Sequence, residues 1–210
     1  MPRWSLAAAT QEIARRDPVM AKAIEQMGPV SWRPRSADAF GALVRSIHYQ
    51  QLAGKAATAI HGRFVALFPD SVTPEGVLAL PEAELRGVGL SAAKAASIRD
   101  LATKVAEGTV PLGAINRLSD DEIVSRLSVV RGIGRWTAEM FLMFRLGRPD
   151  VLPVDDYGIR KGFAVALGRA DLPTKDQLTE HGERWRPYRT VASWYLWQAV
   201  EHGPAAAPTG

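Results

Sequence analysis

The chain has no cysteine among its 210 residues. This absence excludes disulfide bonds, thiolate zinc sites and iron-sulfur clusters. It also suits a reducing compartment, so we expect an intracellular, cytoplasmic location. Long hydrophobic runs are missing as well: no segment reaches the roughly 18 consecutive apolar residues that a bilayer span needs, and residues 1–5 lack the apolar core of a signal peptide. We therefore expect no membrane association.

A strong excess of one charge is also lacking. The chain has 26 Lys and Arg against 22 Asp and Glu, which gives a net charge of +4. This mild excess suits a polyanionic partner without requiring one. With 47% hydrophobic residues, the chain is long enough for one compact domain or two small lobes with a real core.

Helical periodicity, by contrast, is abundant. Apolar residues recur with a spacing near 3.6 along most of the chain, as at Phe40, Leu43, Val44 and Ile47, and no segment alternates strictly. Prolines interrupt this pattern at intervals. We expect an all-α fold of about nine to eleven helices. Residues 1–201 should form the folded domain, and 202–210 a flexible tail.

The most informative stretch is a glycine hairpin over residues 127–137, between two helical patterns. Gly132 and Gly134 allow positive φ and close approach of another molecule, and the next helix begins with amides that lack an internal partner. Such an end attracts phosphate. Arg135 adds positive charge, and Thr137 can add a hydroxyl contact. The alternative is a tight turn between helices with glycine at the C-cap.

An acidic pair, Asp155-Asp156, begins nineteen residues past Trp136 of the hairpin, so that its second member lies twenty residues beyond the tryptophan. An acid at a fixed reach beyond a phosphate-binding turn can do chemistry on the nucleotide held there. Either aspartate can instead cap a helix or place a charge in its first turn. The combination of hairpin and acid indicates an enzyme acting on DNA.

Four blocks of sequence carry a family resemblance: residues 47–53, 132–138, 152–160, and 184–189 with Trp197. Together they resemble the helix-hairpin-helix DNA glycosylase superfamily, and specifically the 3-methyladenine DNA glycosylase II family, over residues 35–201. The resemblance implies two helical lobes with a cleft between them and a helix-hairpin-helix DNA-binding motif. It also implies a compact form without the N-terminal sheet domain of longer relatives, because residues 5–26 have a helical pattern.

The resemblance assigns roles to the hairpin. The amides of Gly132, Gly134 and Thr137 would contact phosphate, with Arg135 beside them. A structural Na or K ion would be held by the backbone carbonyls of Ser128, Val130 and Ile133. No other cofactor is required. A second glycine turn at Gly87 and Gly89 resembles a weaker copy of this DNA-binding device, although such a turn can also be purely structural.

The family pattern places the catalytic acid second in the pair, at Asp156. A carboxylate there would stabilise the positive charge that develops on the sugar when an N-glycosidic bond breaks, and would position or deprotonate water. Relatives that also cut the strand have a lysine where this chain has Trp136. The resemblance therefore implies a monofunctional hydrolase that leaves an intact abasic strand.

Aromatic residues are the candidates for the base pocket, since a flipped base is usually held by stacking. Trp136 and Trp197 resemble the family's pocket tryptophans, and Tyr157 lies beside the acid. Met140 stands where longer relatives often have another ring. An aromatic face would attract the positive charge of an alkylated purine. Ordinary core packing is the alternative for these rings.

Gln51 aligns with the family's wedge, the side chain that fills the gap left by a flipped base, and Gln50 and Leu52 are close alternatives. An exposed residue at a helix end is the other interpretation of Gln51. His48 should be a packing or solvent-facing residue rather than a metal ligand, because no metal-binding residue types cluster near it.

These implications define a DNA repair glycosylase. It would flip out alkylated purines of the 3-methyladenine and 7-methylguanine type from double-stranded DNA and remove them by hydrolysis, acting as a monomer. A non-catalytic protein that binds DNA structure is the alternative that the hairpin alone would support. A bifunctional glycosylase for oxidised bases is disfavoured by Trp136 and by the absent cluster cysteines.

Overall fold

The computed structural model describes residues 4–32, 38–52 and 54–202, and the regular elements within these ranges are all helical. The α-helices are α1 (Leu6–Arg16), α2 (Pro18–Met27), α3 (Ala39–Tyr49), α4 (Gly54–Val65), α5 (Pro74–Ala79), α6 (Glu82–Gly87), α7 (Ala92–Ala106), α8 (Asp120–Ser128), α9 (Arg135–Phe141), α10 (Tyr157–Ala166), α11 (Lys175–Gly182) and α12 (Arg189–His202). Two 3-10 helices (Leu112–Arg117 and Glu183–Trp185) and a π-helical turn (Leu142–Leu146) complete the set. The all-α prediction is confirmed. Of the predicted tail, 203–210 lie outside the described residues.

The described ranges contain more helices than the sequence suggested, because two are very short. Helices α5 and α6 have six residues each, too few to show a periodic pattern. Both begin at prolines: Pro74 is the first residue of α5, and Pro81 is the N-cap of α6. Proline fits a helix start because its missing N–H would have no helical partner there.

The chain divides into two compact units. The terminal unit comprises Met1–Pro34 and Gly147–Gly210, and the central unit comprises Arg35–Leu146. Two helical lobes were expected, and the cleft between them stays a prediction. Across the described ranges, no helix combines the length and apolar character that a bilayer span requires.

In the terminal unit, α10 and α12 pack closely. A Cβ built at Gly162 of α10 would overlap the backbone carbonyl of Leu196 in α12, so glycine is needed for this approach. Ile159, Phe163 and Tyr195 lie in the surrounding core. The packing fixes the start of α10 beside α12, which places residues 156 and 197 next to each other.

Residues 5–26 were predicted to be helical, and they form most of α1 and α2 of the terminal unit. Asp17, which is fully buried, caps α2 by accepting the Val19 N–H at 2.9 Å. It also accepts hydrogen bonds from His181 Nε2 at 2.7 Å and Trp185 Nε1 at 2.8 Å. Burial opposes ionisation of Asp17, but these hydrogen bonds outweigh it and lower its pKa to about 2.

In the central unit, α7 packs against α3, α5 and α6. Helix α3 buries its four predicted apolar positions, at 3% exposure or less: Phe40, Leu43, Val44 and Ile47. A capping box between Ser119 and Glu122 begins α8. Helix α8 leads through the glycine hairpin into α9.

Candidate functional site

The glycine hairpin joins α8 to α9. Gly132 has φ of +77°, a left-handed conformation that favours glycine, and a Cβ there would lie 2.6 Å from Ser97 Oγ. Gly134 is instead extended, with φ of −93° and ψ of 177°, and serves as the N-cap of α9. Both glycines can adopt positive φ, and only Gly132 uses it. Gly134 is a cap whose lack of a side chain leaves the helix start open.

The first turn of α9 contains Arg135, Trp136 and Thr137. No side chain in the described part of the chain provides the N-cap hydrogen bond here. Backbone amides of a first helical turn lack partners within the helix, and such ends bind phosphate. The Arg135 side chain is 60% exposed beside the turn, and its guanidinium forms an ion pair with the buried Glu139 at 2.9 Å.

The Thr137 hydroxyl lies within the protein instead of on the outside of the hairpin. Thr137 is only 5% exposed, and its Oγ1 accepts a hydrogen bond from Gln50 Nε2 at 3.3 Å. The hydroxyl contact to an external group that the sequence suggested is thus replaced by an internal one. The Thr137 amide stays a predicted phosphate donor.

The predicted cation ligands are backbone carbonyls at the end of α8 and in the turn. Ser128 is the last residue of α8, and the side chains of Val130 and Ile133 are buried. The Val130 carbonyl accepts the Ile133 N–H at 3.0 Å. A carbonyl oxygen has a second lone pair. Neutral oxygens of this kind suit a monovalent cation, so the donor set fits a Na or K ion.

The second glycine turn links α6 to α7. Gly87 ends α6, and Gly89 has φ of +101°. Arg63 Nε donates to the Val88 carbonyl at 2.9 Å, so an internal contact holds the turn. Lys94, which lies on α7 behind this turn, donates through Nζ to backbone carbonyls at the end of α3. These contacts favour a structural role for the turn.

The Gln-Gln segment follows α3. Gln51 has φ of +55°, and among the described residues it alone has positive φ without being a glycine. Gln51 and Leu52 are exposed, whereas Gln50 is partly buried. Of the three wedge candidates, Gln50 is already engaged, because its amide donates to the Gly132 carbonyl at 2.9 Å.

His48 is a packing residue, as expected. It is fully buried, its ring lies 4.8 Å from that of Phe64, and its Nδ1 lies 3.3 Å from Nδ1 of His61. Burial, together with the charge of His61, lowers the pKa of His48 to about 4. Within the described ranges, no three residues of metal-binding type come together.

The acidic pair separates into two environments. Asp155 is exposed and forms an ion pair with Lys175. Asp156 is the N-cap of α10, and its Oδ1 accepts the Ile159 N–H at 2.8 Å and the Trp197 Nε1–H at 3.0 Å. Capping was the alternative role considered for these residues, and Asp156 does cap a helix. The two hydrogen bonds also orient its partly exposed carboxylate, which suits a catalytic group.

Gly158 makes this arrangement fit, and sequence reasoning did not single it out. A Cβ at Gly158 would lie 2.9 Å from Trp197 Cδ1 and 3.1 Å from Asp156 Oδ1. A side chain there would push the indole and the carboxylate apart. The signal in the sequence was a glycine two residues after the acid, which is too common a pattern to be assigned a role.

Four of the six large hydrophobic side chains exposed in the described ranges lie on the hairpin or on the other blocks of family resemblance: Leu52, Val129, Trp136 and Tyr157. Trp136 is 45% exposed and Tyr157 is 64% exposed. Core packing therefore does not account for these two rings. Large exposed apolar side chains on predicted functional segments make each of these segments a candidate contact with a ligand.

The predicted site residues fall into two groups. The terminal unit brings together Asp156, Tyr157 and Trp197. The central unit holds the hairpin with Trp136, the partly buried Met140 of α9, and the Gln-Gln segment.

Comparison with known proteins gives a consistent result. A family model described as HhH-GPD superfamily base excision DNA repair protein matches residues 44–187. DNA-3-methyladenine glycosylase 1 of Schizosaccharomyces pombe is 40% identical over 162 residues, which cover 74% of this chain and 70% of that protein. A putative DNA-3-methyladenine glycosylase of Bacillus subtilis is 32% identical over 169 residues, covering 77% of this chain and 59% of the relative.

Solved structures agree. The Schizosaccharomyces pombe 3-methyladenine DNA glycosylase in complex with abasic DNA superposes with a TM-score of 0.80 at 33% identity, covering 97% of this chain and 100% of that one. A DNA-3-methyladenine glycosidase from Bacillus halodurans gives a TM-score of 0.86 at 36% identity, covering 92% and 89% of the two chains. With this fold, this hairpin and a family match over most of its length, the chain belongs to the HhH-GPD superfamily of base excision DNA repair proteins.

Proposed function

We propose that this protein is a monofunctional DNA glycosylase that flips alkylated purines out of double-stranded DNA and hydrolyses their N-glycosidic bond. The observation that carries the proposal is the carboxylate of Asp156, held by two hydrogen bonds at the start of α10. The relatives support the substrate class, since several are named 3-methyladenine glycosylases and one was solved with abasic DNA.

Asp156 acts on the sugar. As the bond between C1′ and the base breaks, its electron pair leaves with the purine, and positive charge develops on the sugar. A carboxylate beside C1′ stabilises this charge, and it accepts a proton from the water that adds to C1′. The start of α10 favours a negative charge at this position. The hydrogen bond from Trp197 keeps the carboxylate in place before the substrate arrives.

The positive charge of an alkylated purine helps the enzyme to bind the base and helps the base to leave the sugar. It attracts an aromatic face by about 0.5 to 2 kcal/mol, and it lets the base leave in neutral form. Trp136, Trp197 and Tyr157 supply the rings, and Met140 supplies a polarizable apolar contact. Partly exposed rings are available for stacking in a way that core rings are not.

The reaction subtype follows from Trp136. A glycosylase that also cuts the strand needs an amine to form a Schiff base with the sugar. An indole cannot do this. We therefore expect no covalent adduct between enzyme and DNA after borohydride treatment, and detection of such an adduct would exclude a monofunctional reaction.

The DNA backbone is held by the hairpin. In this proposal the amides of Gly132, Gly134 and Thr137 donate to phosphate, and Arg135 contributes charge. A Na or K ion on the carbonyls of the hairpin would reinforce the positive end of the site. Replacing Na and K in the buffer by a bulky organic cation should weaken DNA binding. An unchanged affinity for DNA would argue against an ion at the hairpin. The turn at Gly87 and Gly89 would contribute only a weak second contact.

Base release on defined duplexes tests the function. Substrates should carry 3-methyladenine, 7-methylguanine, 1-methyladenine, hypoxanthine or ethenoadenine, and the free base is measured. Replacing the acid, Asp156→Asn, should slow release by about 10²- to 10⁴-fold, the usual contribution of a general acid or base. Binding to a duplex with an abasic site should persist, because the hairpin is unaltered.

Asp155→Asn is the matched control. Asp155 forms an exposed ion pair with Lys175, so this variant should release base at nearly the normal rate. Full activity of Asp156→Asn would exclude the proposed acid. Binding without any release by the unaltered protein would instead identify a non-catalytic DNA-binding protein.

The same preparations can be measured by light scattering, where a mass other than that of one chain would exclude a monomer.

A further inference from the structure

The lysine behind the second glycine turn is directed inward. Lys94 lies on α7, and its Nζ donates to the carbonyls of His48 and Gln50, each at 2.7 Å. These carbonyls belong to the last turn of α3 and to its C-cap. A cation at a helix C-terminus satisfies carbonyls that have no helical partner. Lys94 thus fixes the peptide unit that joins Gln50 to Gln51.

The same face of α7 holds the hairpin. Ser97 and Asp100 follow Lys94 at intervals of three residues, which places all three side chains along one side of the helix. Ser97 Oγ lies against Gly132, where it leaves no room for a Cβ. Asp100 Oδ2 accepts the backbone N–H of Arg131 at 2.7 Å. One helix face therefore supports two segments: the end of α3 and the glycine turn.

Gln50 links these two segments directly. Its Nε2 donates to the Gly132 carbonyl at 2.9 Å and lies 3.3 Å from Thr137 Oγ1. Gln50 and Gly132 are 82 residues apart in the chain. Lys94 binds the backbone carbonyl of Gln50, and the hairpin binds its side-chain amide. Both the backbone and the side chain of Gln50 are therefore fixed.

The residue that follows is strained. Gln51 has φ of +55°, a conformation that costs a residue other than glycine about 1 kcal/mol or more. Such a conformation persists only where the surroundings impose it. The contacts of Lys94 and Gln50 provide that constraint. They hold an exposed glutamine at a fixed distance from the hairpin.

We infer that Lys94 and Gln50 are positioning residues for base extrusion: they couple the hairpin that grips the DNA backbone to the side chain at 51 that fills the vacated stack. This inference rests on the proposed function. Lys94 accordingly acts through the protein and makes no phosphate contact. Gln50, although one of the wedge candidates, is the support for the wedge.

The test compares two duplexes that differ in the cost of extrusion. In one, the lesion is paired with a normal base. In the other, it lies opposite an abasic site, where less pairing has to be broken. Gln50→Met and Lys94→Met keep the length of each side chain but remove its donor. On the paired lesion, each variant should lower the single-turnover rate of base release about tenfold, as expected for loss of hydrogen bonds that hold the wedge.

When the lesion lies opposite an abasic site, the single-turnover rate of both variants should be within about threefold of the rate of the unaltered protein. Extrusion of the base contributes less to the activation barrier in that duplex. Lys94→Arg, which retains donors for the two carbonyls, should restore much of the rate on the paired lesion. The exposed residues Gln26 and Lys22 on α2 provide matched controls, and Gln26→Met and Lys22→Met should behave normally on both duplexes.

The salt dependence of DNA binding separates positioning from phosphate contact. Loss of one phosphate contact lowers the slope of log K against log salt by about 0.9. Lys94→Met should leave this slope unchanged, whereas Arg135→Met should reduce it. Equal rate defects on the two duplexes, or a reduced slope for Lys94→Met, would overturn the inference. Absence of base release by the unaltered protein from both duplexes would instead refute the proposed function, and the inference with it.

Discussion

At the scale of single residues, Trp197 combines two roles. Its indole N–H donates to Asp156 Oδ1 at 3.0 Å, and its ring is only partly buried on α12. A pocket tryptophan needs only the ring. A tryptophan that orients a carboxylate needs the N–H as well, so the two roles can be separated by substitution.

We predict that Trp197→Phe slows base release while damaged DNA is still bound. Phenylalanine keeps an aromatic face but cannot donate to Asp156. A hydrogen bond to a charged group is worth about 1.5 to 3 kcal/mol, which corresponds to a loss of roughly 10- to 100-fold in rate. Single-turnover rates and the affinity for abasic DNA should be measured together.

Trp197→Ala is the comparison, because it removes both the ring and the N–H. It should reduce the rate further and weaken selection of the alkylated base. If Trp197→Phe retained the full rate, the hydrogen bond to Asp156 would have no part in the reaction, and Trp197 would serve only as a stacking surface.

Sequence reasoning could select Asp156 over Asp155 only by spacing within a family pattern, since the two residues are chemically identical. The structure supplies the physical difference, a surface ion pair for one and two oriented donors for the other. Gly158 could not be found in this way. Its importance depends on Trp197, which lies 39 residues later and approaches only through the packing of α12 on α10.

At the scale of elements, the hairpin uses its two glycines differently. Gly132→Ala should lower the free energy of unfolding by about 1 to 3 kcal/mol, because it combines an unfavourable positive φ with a clash against Ser97 Oγ. Urea titration measures the effect. DNA binding should weaken as well, since the turn must shift.

Gly134→Ala is the matched control for folding. Its backbone is extended, and a Cβ there would meet nothing within 4 Å. The variant should unfold at nearly the same urea concentration, yet bind abasic DNA more weakly because the methyl group would stand at the open start of α9. An equal loss of folding stability in both variants would contradict this division of roles.

The long helices were predictable because their buried faces repeat at the helical period, as α3 and the capped start of α8 show. The short helices α5 and α6 were not, since six residues contain too little pattern. The hydrogen bond from Gln50 to Gly132 could not be predicted from the sequence either. It depends on two segments meeting in space, and nothing in either segment alone encodes the other.

At the scale of the whole molecule, stability should fall as the solution becomes acidic. The pKa of His48 is lowered from 6.5 to about 4 by burial and by the charge of His61, so the folded protein resists protonation that the unfolded chain accepts. This contribution is complete above pH 6.5 and declines between pH 6.5 and 4, by on the order of 3 kcal/mol. Asp17, with its pKa lowered to about 2, adds stability that is lost below its ordinary value of 3.8.

Free energies of unfolding from urea titrations at pH 7, 6, 5 and 4 would measure this decline. His48→Asn should flatten the curve between pH 6.5 and 4, whereas His202→Asn, at an exposed residue, should not. NMR titration of the His48 ring gives an independent value. A ring that titrates near pH 6.5 in the folded protein would contradict the prediction.

The sequence predicted two lobes through family resemblance, but it could not show which segments build them. Asp17 meets His181 and Trp185 across more than 160 residues. Such a pairing depends on which helices pack together. Helical periodicity shows that one face of a helix is buried, but it does not identify the partner helix.

That pairing has a consequence for protein synthesis. The helices α1 and α2 leave the ribosome well before their partners α10, α11 and α12. Translation at about 5 to 20 residues per second would separate the end of α2, at Met27, from the start of α10, at Tyr157, by roughly 7 to 26 s. Protease treatment of stalled nascent chains should therefore cleave α1 and α2 until the final helix emerges. Until then, the apolar faces of α1 and α2 lack the partners that bury them in the folded protein.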